Sequence, residues 1–327
     1  ITATINEYKF EITSLRKDLA TDGRHANVEF SKNWKEDASR RDFTINSIYA
    51  DRKGNLFDPF NGKEDLEKGF VKFIGETDKR IQEDYLRILR YIRFYQNYSK
   101  HPHDLELARK LKINISGVSK LSKERLLDEL KKIVKFSILE KLSKDKLSLK
   151  LISVIFPELR YIQIFSKLKE YQKNILKEVD FILILSLMII DETDNVDYFL
   201  YKFNISKKDQ KRIKIIENFY KEKINQKTFS ETNMNKIFYY NGKQAVNDIL
   251  NFRIIKSKNF DKNLIDLTKI YSNKITPRMP IKAEEIMTKY KIQEGKYLGL
   301  KLKLIEEEWV NNNFKISDQQ VDNIINN

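Results

Sequence analysis

The chain has 327 residues, long enough for more than one domain with its own core. Its 62 Lys and Arg against 47 Asp and Glu leave +15, which favours a polyanionic partner, nucleic acid ahead of an anionic membrane. With no cysteine and three histidines, disulfides and thiolate metal sites are excluded and a histidine-built zinc site is disfavoured. The same composition is compatible with a reducing cytoplasm. A Lys-, Asn- and Ile-rich proteome would raise the charge by itself, so composition alone leaves the partner open.

Strand signals concentrate in residues 1 to about 75. Thr2–Ile5 and Tyr8–Thr13 alternate around Asn6-Glu7 and predict a hairpin. Leu19 to Lys35, with Asp22-Gly23-Arg24-His25, reads as a loop; Phe43 to Tyr49 and Leu56-Phe57 read as further strands. Asp58-Pro59 and Asn61-Gly62 are turn signals. From about residue 76 onward, Leu, Ile and Lys recur at helical spacing and Gly and Pro are scarce. Asn114–Ser119 reads as a loop, Ser122 as the cap of a new helix, and Phe156-Pro157 and Ile275-Thr276-Pro277 as breaks. Phe181 to Ile190 is the longest apolar run, about half of a membrane span, and predicts a buried helix. The fold class expected is α+β, a mixed head followed by an all-helical remainder.

On a continuous helix from Glu83 to Tyr95, Tyr85, Ile88, Leu89 and Ile92 share one packing arc. Asp84, Arg87 and Arg90 fall on the opposite arc, with Arg93 at its rim. Taken alone, this is a surface helix with an Asp–Arg pair three residues apart. Yet an ionised Asp only accepts hydrogen bonds and an Arg only donates them. Cytosine presents an amine beside the N3 acceptor, and adenine an amine beside N1, so an Asp-plus-Arg edge matches both. Uracil and guanine present the reverse pattern. Arg90 and Arg93 would suit a triphosphate, because guanidinium pairs well with phosphate oxygens.

Three ordered blocks, Arg40-Arg41-Asp42-Phe43-Thr44-Ile45-Asn46, Asp58-Pro59-Phe60-Asn61-Gly62 with Asp65-Leu66, and Glu83-Asp84-Tyr85-Leu86-Arg87 through Phe94, together resemble the class II tRNA nucleotidyltransferase and bacterial poly(A) polymerase family. The resemblance is close over residues 1 to about 135, with looser support from 277 to 316. It implies that Asp84 and Arg87 read the base, that Asp42 accepts from the ribose hydroxyls, and that Arg40 and Arg41 lie near the phosphates, with no assignment of which makes contact. It leaves Asn46 open between a structural and a ligand role, and makes Asp58–Gly62 a hinge. Ser122-Lys123-Glu124-Arg125 resembles the segment that braces the reading helix. Arg24 falls in what the family uses as a flexible loop beside the substrate. Pro277–Ile281 and Gly295–Gly299 resemble its RNA-facing tail, while Trp309 reads as packing.

The resemblance implies a head at 1–75, a nucleotide-reading neck at 76–145, a helical body at 146–270 and an RNA-binding tail at 271–327. It implies CCA addition to the 3′ end of tRNA from CTP and ATP, with Mg2+ as cofactor; composition and the short apolar run favour no membrane and cytoplasmic residence, and oligomeric state is left open. The family's glycine pair and Asp-x-Asp do not occur in residues 1–75. Asp191-Glu192-Thr193-Asp194 follows an apolar helix and does not substitute for them. No catalytic or metal-ligating residue is therefore named. Truncation, a split enzyme or lost catalysis would each account for this; the initial Ile1 and the sheet that starts mid-hairpin favour truncation, and residues 1–327 alone are expected to be inactive. The alternatives are an A-, CC- or poly(A)-adding relative, or a non-catalytic tRNA-binding remnant.

Overall fold

The computed structural model describes residues 1–21, 26–222 and 228–326. Chain contacts divide it into two units, residues 1–168 with 195–204, and residues 169–194 with 205–327. The expected α+β class holds, with short antiparallel strands confined to the start of the first unit and helices elsewhere.

The first unit opens with β1 (Thr2–Ile5) paired to β2 (Tyr8–Glu11). Asn6 and Glu7 both take positive φ, 46° and 68°, the backbone that a two-residue hairpin turn demands. The stretch read as a loop contains a second hairpin, β3 (Arg16–Thr21) with β4 (Ala26–Phe30), and then helix Trp34–Ser39. Its signals were local: Val28-Glu29-Phe30 alternates, and the Asn33 side chain caps the helix by accepting from the Lys35 amide at 2.9 Å. Arg24 lies outside the described residues.

The strand expected over Phe43–Tyr49 is mostly absent. Phe43 makes one antiparallel bridge to Phe73, Thr44–Asn46 form a 3-10 turn, and only Tyr49–Ala50 (β5) pairs, with Leu56–Phe57 (β6). Polar side chains compete with the ladder here. The Phe43 amide donates to Asn46 Oδ1 at 3.2 Å, Ser47 Oγ donates to the Thr44 carbonyl at 2.8 Å, and Thr44 Oγ1 donates to buried Asp65 at 2.8 Å. Asp58 holds the next turn, accepting from the Gly62 and Lys63 amides at 2.8 Å each and so starting helix Gly62–Lys68.

The continuous helix expected from Glu83 is interrupted. Helix Thr77–Glu83 ends at Asp84, whose backbone is extended (φ −153°, ψ 103°), and a new helix runs from Leu86 to Tyr98. The Asp84 carboxylate accepts from the Leu86 amide at 3.1 Å, capping the new start as its own residue leaves the old one. Arg87, placed by helical spacing opposite the packing arc, is only 8% exposed, because Asp42, Glu83 and the Arg80 carbonyl cover it. Leu86, Ile88, Leu89, Tyr91 and Ile92 fill the core beside it, and Phe94 and Phe73 flank the Phe43 ring at 5.0 and 4.8 Å. Asn114–Ser119, expected as a loop, is the end of a helix followed by a 3-10 turn, Ile115–Lys120. Ser122 caps helix Lys123–Ile133, as expected, by accepting from the Arg125 amide at 3.4 Å.

In the second unit the apolar run forms helix Phe181–Ile189, buried from Ile182 onward. A long helix, Glu231–Lys256, is broken at Gly242, where φ is 81°. Trp309, 2% exposed, packs against Tyr239 and Phe314 at 5.4 and 5.0 Å, the packing role expected of it. Among the described residues no helix is long and apolar enough to cross a membrane.

Gly117 is one of the positions where this packing leaves no room for a side chain. A Cβ there would lie 2.0 Å from the ring of Tyr85, the residue between Asp84 and the helix Leu86–Tyr98. Gly117→Ala is expected to cost about 1–3 kcal/mol in urea unfolding.

Candidate functional site

Asp42 is the meeting point of the Arg-Arg-Asp segment and the helix Leu86–Tyr98. Its Oδ1 accepts from Arg87 Nε at 2.8 Å, and its Oδ2 accepts from Arg90 Nε. Burial pushes the Asp42 carboxyl up, but the Arg90 and Arg87 guanidiniums outweigh it and hold it below the usual range. Arg87 also donates Nη1 to the Arg80 carbonyl and to Glu83 Oε2, the latter at 2.7 Å. Arg80 Nη2 reaches back to the carbonyls of Arg40 and Arg41 at 2.9 and 2.6 Å, and its Nη1 donates to Glu83 at 2.6 Å. One polar network thus locks three separate segments. Among the described residues, Arg87 Nη2 makes no hydrogen bond.

The other candidate residues are held by partners of their own. Asp84 Oδ2 accepts from Arg125 Nη2 at 2.7 Å, across 41 residues of sequence. Arg93 donates Nε to the buried Glu129 at 2.5 Å and lies 4.7 Å over the Phe94 ring, so it does not join Asp42. Arg40 and Arg41 converge on Asp37, which is fully buried. Oδ1 accepts from Arg40 Nε and Nη2 at 2.8 and 2.6 Å, and from the Arg16 amide at 3.3 Å. Oδ2 accepts from Arg41 Nε and Nη2 at 3.3 and 3.1 Å, and from the Tyr49 hydroxyl at 2.7 Å.

The structure therefore brings Asp42, Arg87 and Arg90 together, and Arg40 with Arg41. It seats Asp84 on Arg125 and Arg93 on Glu129. Sequence reasoning missed Asp37, Arg80, Glu83 and the pairings of Arg125 and Glu129. Asp37 was findable, since it stands three and four residues before Arg40 and Arg41 in a helical stretch. The Asp84–Arg125 pair carries no local signal. Among the described residues no group of three or more His, Cys, Asp or Glu could hold a metal ion.

Asp37 gives the site a measurable pH signature. Burial pushes its carboxyl up, yet the hydrogen bonds from Tyr49, Arg40 and the Arg16 amide bring it down to about 2. A carboxylate depressed on folding stabilises the fold above its unfolded pKa, and that stabilisation is lost as pH falls through the folded value. Urea unfolding is therefore expected to show a loss of about 2 kcal/mol between about pH 4 and pH 2. Asp37→Asn should be less stable at pH 7 and should flatten that part of the profile.

Residues 1–72 match the family model described as Poly A polymerase head domain. The chain is 53% identical over 136 residues to the human protein named CCA tRNA nucleotidyltransferase 1, mitochondrial, covering 41% of this chain and 31% of the relative. It is 30% identical over 257 residues to the CCA-adding enzyme of Staphylococcus haemolyticus, covering 78% of this chain and 60% of the relative. The chain thus spans between about a third and three fifths of the length of these relatives. A solved structure of the Bacillus stearothermophilus CCA-adding enzyme in complex with CTP matches in fold, with a TM-score of 0.66 at 18% identity, over 95% of this chain and 77% of that one. With the head matched at 1–72 and 53% identity over 136 residues to a CCA tRNA nucleotidyltransferase, the chain is similar to the class II tRNA nucleotidyltransferase and poly(A) polymerase family.

Proposed function

We propose that the protein adds CMP and AMP to the 3′ end of tRNA, taking CTP and ATP and using no nucleic-acid template. The observation that carries this reading is the state of Asp84 and Arg87 at the start of the helix Leu86–Tyr98. Each side chain is already oriented by protein partners, and each keeps hydrogen-bonding capacity. Arg87 uses Nε and Nη1 within the protein and retains Nη2 as a donor. Asp84 accepts one hydrogen bond on each oxygen, so each oxygen can still take a second from a base amine. A donor and an acceptor fixed before the base arrives suit cytosine and adenine, and leave uracil and guanine unpaired. The relatives named above for CCA addition, and the solved relative in complex with CTP, point the same way.

In this reading Asp42 accepts from the ribose hydroxyls with the lone pairs that Arg87 and Arg90 leave. Arg40, Arg41, Arg90 and Arg93 face the triphosphate, Arg93 sharing its charge with Glu129. Arg24 belongs to the loop beside the substrate. The functional division is head 1–75, neck 76–145, body 146–270 and tail 271–327, with the tRNA bound by the basic helical part. Mg2+ is the cofactor that the family resemblance implies; the described residues offer no carboxylate cluster for it, and none is assigned to it. Cytoplasmic residence is the reading from composition, while the human relative is named mitochondrial; cell fractionation decides between them. An A-, CC- or poly(A)-adding specificity would use the same Asp84 and Arg87, and sequencing of extended tRNA ends separates these.

Two measurements test the proposal. Residues 1–327 are expected to bind CTP and ATP at least about tenfold more tightly than UTP and GTP, and Asp84→Ala or Arg87→Ala should erase that preference. Equal affinity for all four nucleotides would refute the base-reading edge. Given a tRNA that lacks its 3′ end, with CTP, ATP and magnesium, residues 1–327 are expected to incorporate nothing, because the family's Asp-x-Asp is not in their head segment. CCA termini in that product would show that these residues supply the metal ligands after all.

A further inference from the structure

We propose that Asp37 is a positioning residue, which sets the Arg40 and Arg41 guanidiniums side by side as a paired anchor for the phosphate oxygens of a bound nucleoside triphosphate. The inference rests on the nucleotide reading above and assigns a residue that lies outside its motifs.

Adjacent guanidiniums repel, and two consecutive arginines would ordinarily splay apart into solvent. Here each turns its Nε–Nη2 edge onto a different oxygen of one carboxylate, Arg40 onto Oδ1 and Arg41 onto Oδ2. Arg41 also lies against the Tyr49 side chain, and among the described residues the Nη1 group of Arg40 makes no hydrogen bond. The cluster sets two positive charges against one negative charge, so a surplus positive charge remains for an anion.

The carboxylate is itself immobilised. The Arg16 amide occupies Oδ1 and the Tyr49 hydroxyl occupies Oδ2, so Asp37 cannot turn without breaking hydrogen bonds on both sides. The backbone of the arginine pair is pinned as well, because Arg80 Nη2 holds the carbonyls of Arg40 and Arg41. Arg80 gives its own carbonyl to Arg87, the proposed base-reading donor. The two ends of a nucleotide, base and phosphate, would therefore meet groups built on one connected frame.

A purely structural Asp37 would affect every ligand alike. Calorimetric titration of residues 1–327 with CTP, with cytidine and with tRNA separates the cases. Asp37→Asn is expected to weaken CTP binding on the order of tenfold while cytidine binding changes by less than about twofold. In an Arg40→Gln, Arg41→Gln background the same change should add less than about twofold, because Asp37 acts through the arginines. Equal weakening of CTP and cytidine, or a full loss that persists in that background, overturns the proposal. Weaker tRNA binding with the CTP-to-cytidine ratio intact would give the anchor to RNA phosphates and overturn the triphosphate assignment.

If the Asp37→Asn chain does not fold, Tyr49→Phe removes a neutral hydroxyl that donates to the oxygen that Arg41 uses and also contacts Arg41 itself. The ratio should then fall in the same direction by a smaller factor, and an unchanged ratio in a folded Y49F chain counts against the role. If the unmodified chain shows no preference for CTP over cytidine, the nucleotide reading fails first and takes this inference with it. A preference that survives Asp37→Asn removes the inference alone.

Discussion

Burying the Arg87 guanidinium carries a desolvation cost of several kcal/mol, and a lone charge at that depth would not persist. It persists because Asp42 and Glu83 approach it from two sides and the Arg80 carbonyl closes a third. Asp42 belongs to the turn after helix Trp34–Ser39, Glu83 ends one helix, and Arg87 lies in the first turn of the next. The pairing therefore fixes the entry of the helix Leu86–Tyr98 relative to the Arg-Arg-Asp turn. Everything proposed for nucleotide recognition depends on that junction, since Asp84 lies at the break and Arg90 follows one turn later.

The same arrangement recurs around it. Asp37 orients Arg40 and Arg41, Asp84 is met by Arg125, and Arg93 is met by Glu129. In each case a guanidinium that a phosphate or a base could use is already tied to a carboxylate, most of these on a different part of the chain. Such ties reduce the ordering that ligand binding would otherwise require. They also explain how a chain with a large excess of positive charge packs so many arginines around one junction: the surplus sits at the edges of paired groups and not as isolated buried charges.

Legibility in the sequence followed how local the physics was. The Asn6-Glu7 hairpin, the Asp58–Gly62 turn, the Ser122 cap, the buried Phe181 helix and the packing of Trp309 could all be read from a few neighbouring residues. The strand expected at Phe43–Tyr49 failed because Asn46, Ser47 and Thr44 take the backbone and buried partners that a ladder would need. The continuous helix at Glu83 failed because Asp84 ends one helix and caps the next. Arg87, expected on an exposed arc, is buried because Asp42, Glu83 and the Arg80 carbonyl close over it, which no periodicity argument could show.

The sequence by itself determined the family blocks, the identity of the candidate acceptor and donor, the charge surplus and the α+β class, because residue type and spacing state these directly. Only the tertiary structure decided which carboxylate serves which guanidinium. Asp42 meets Arg87 across 45 residues and Asp84 meets Arg125 across 41. Arginine pairs with any carboxylate within reach, so sequence chemistry leaves many pairings equivalent. The packing of Phe43, Phe73 and Phe94 and the helix break at Asp84 bring one set of partners to hydrogen-bond distance.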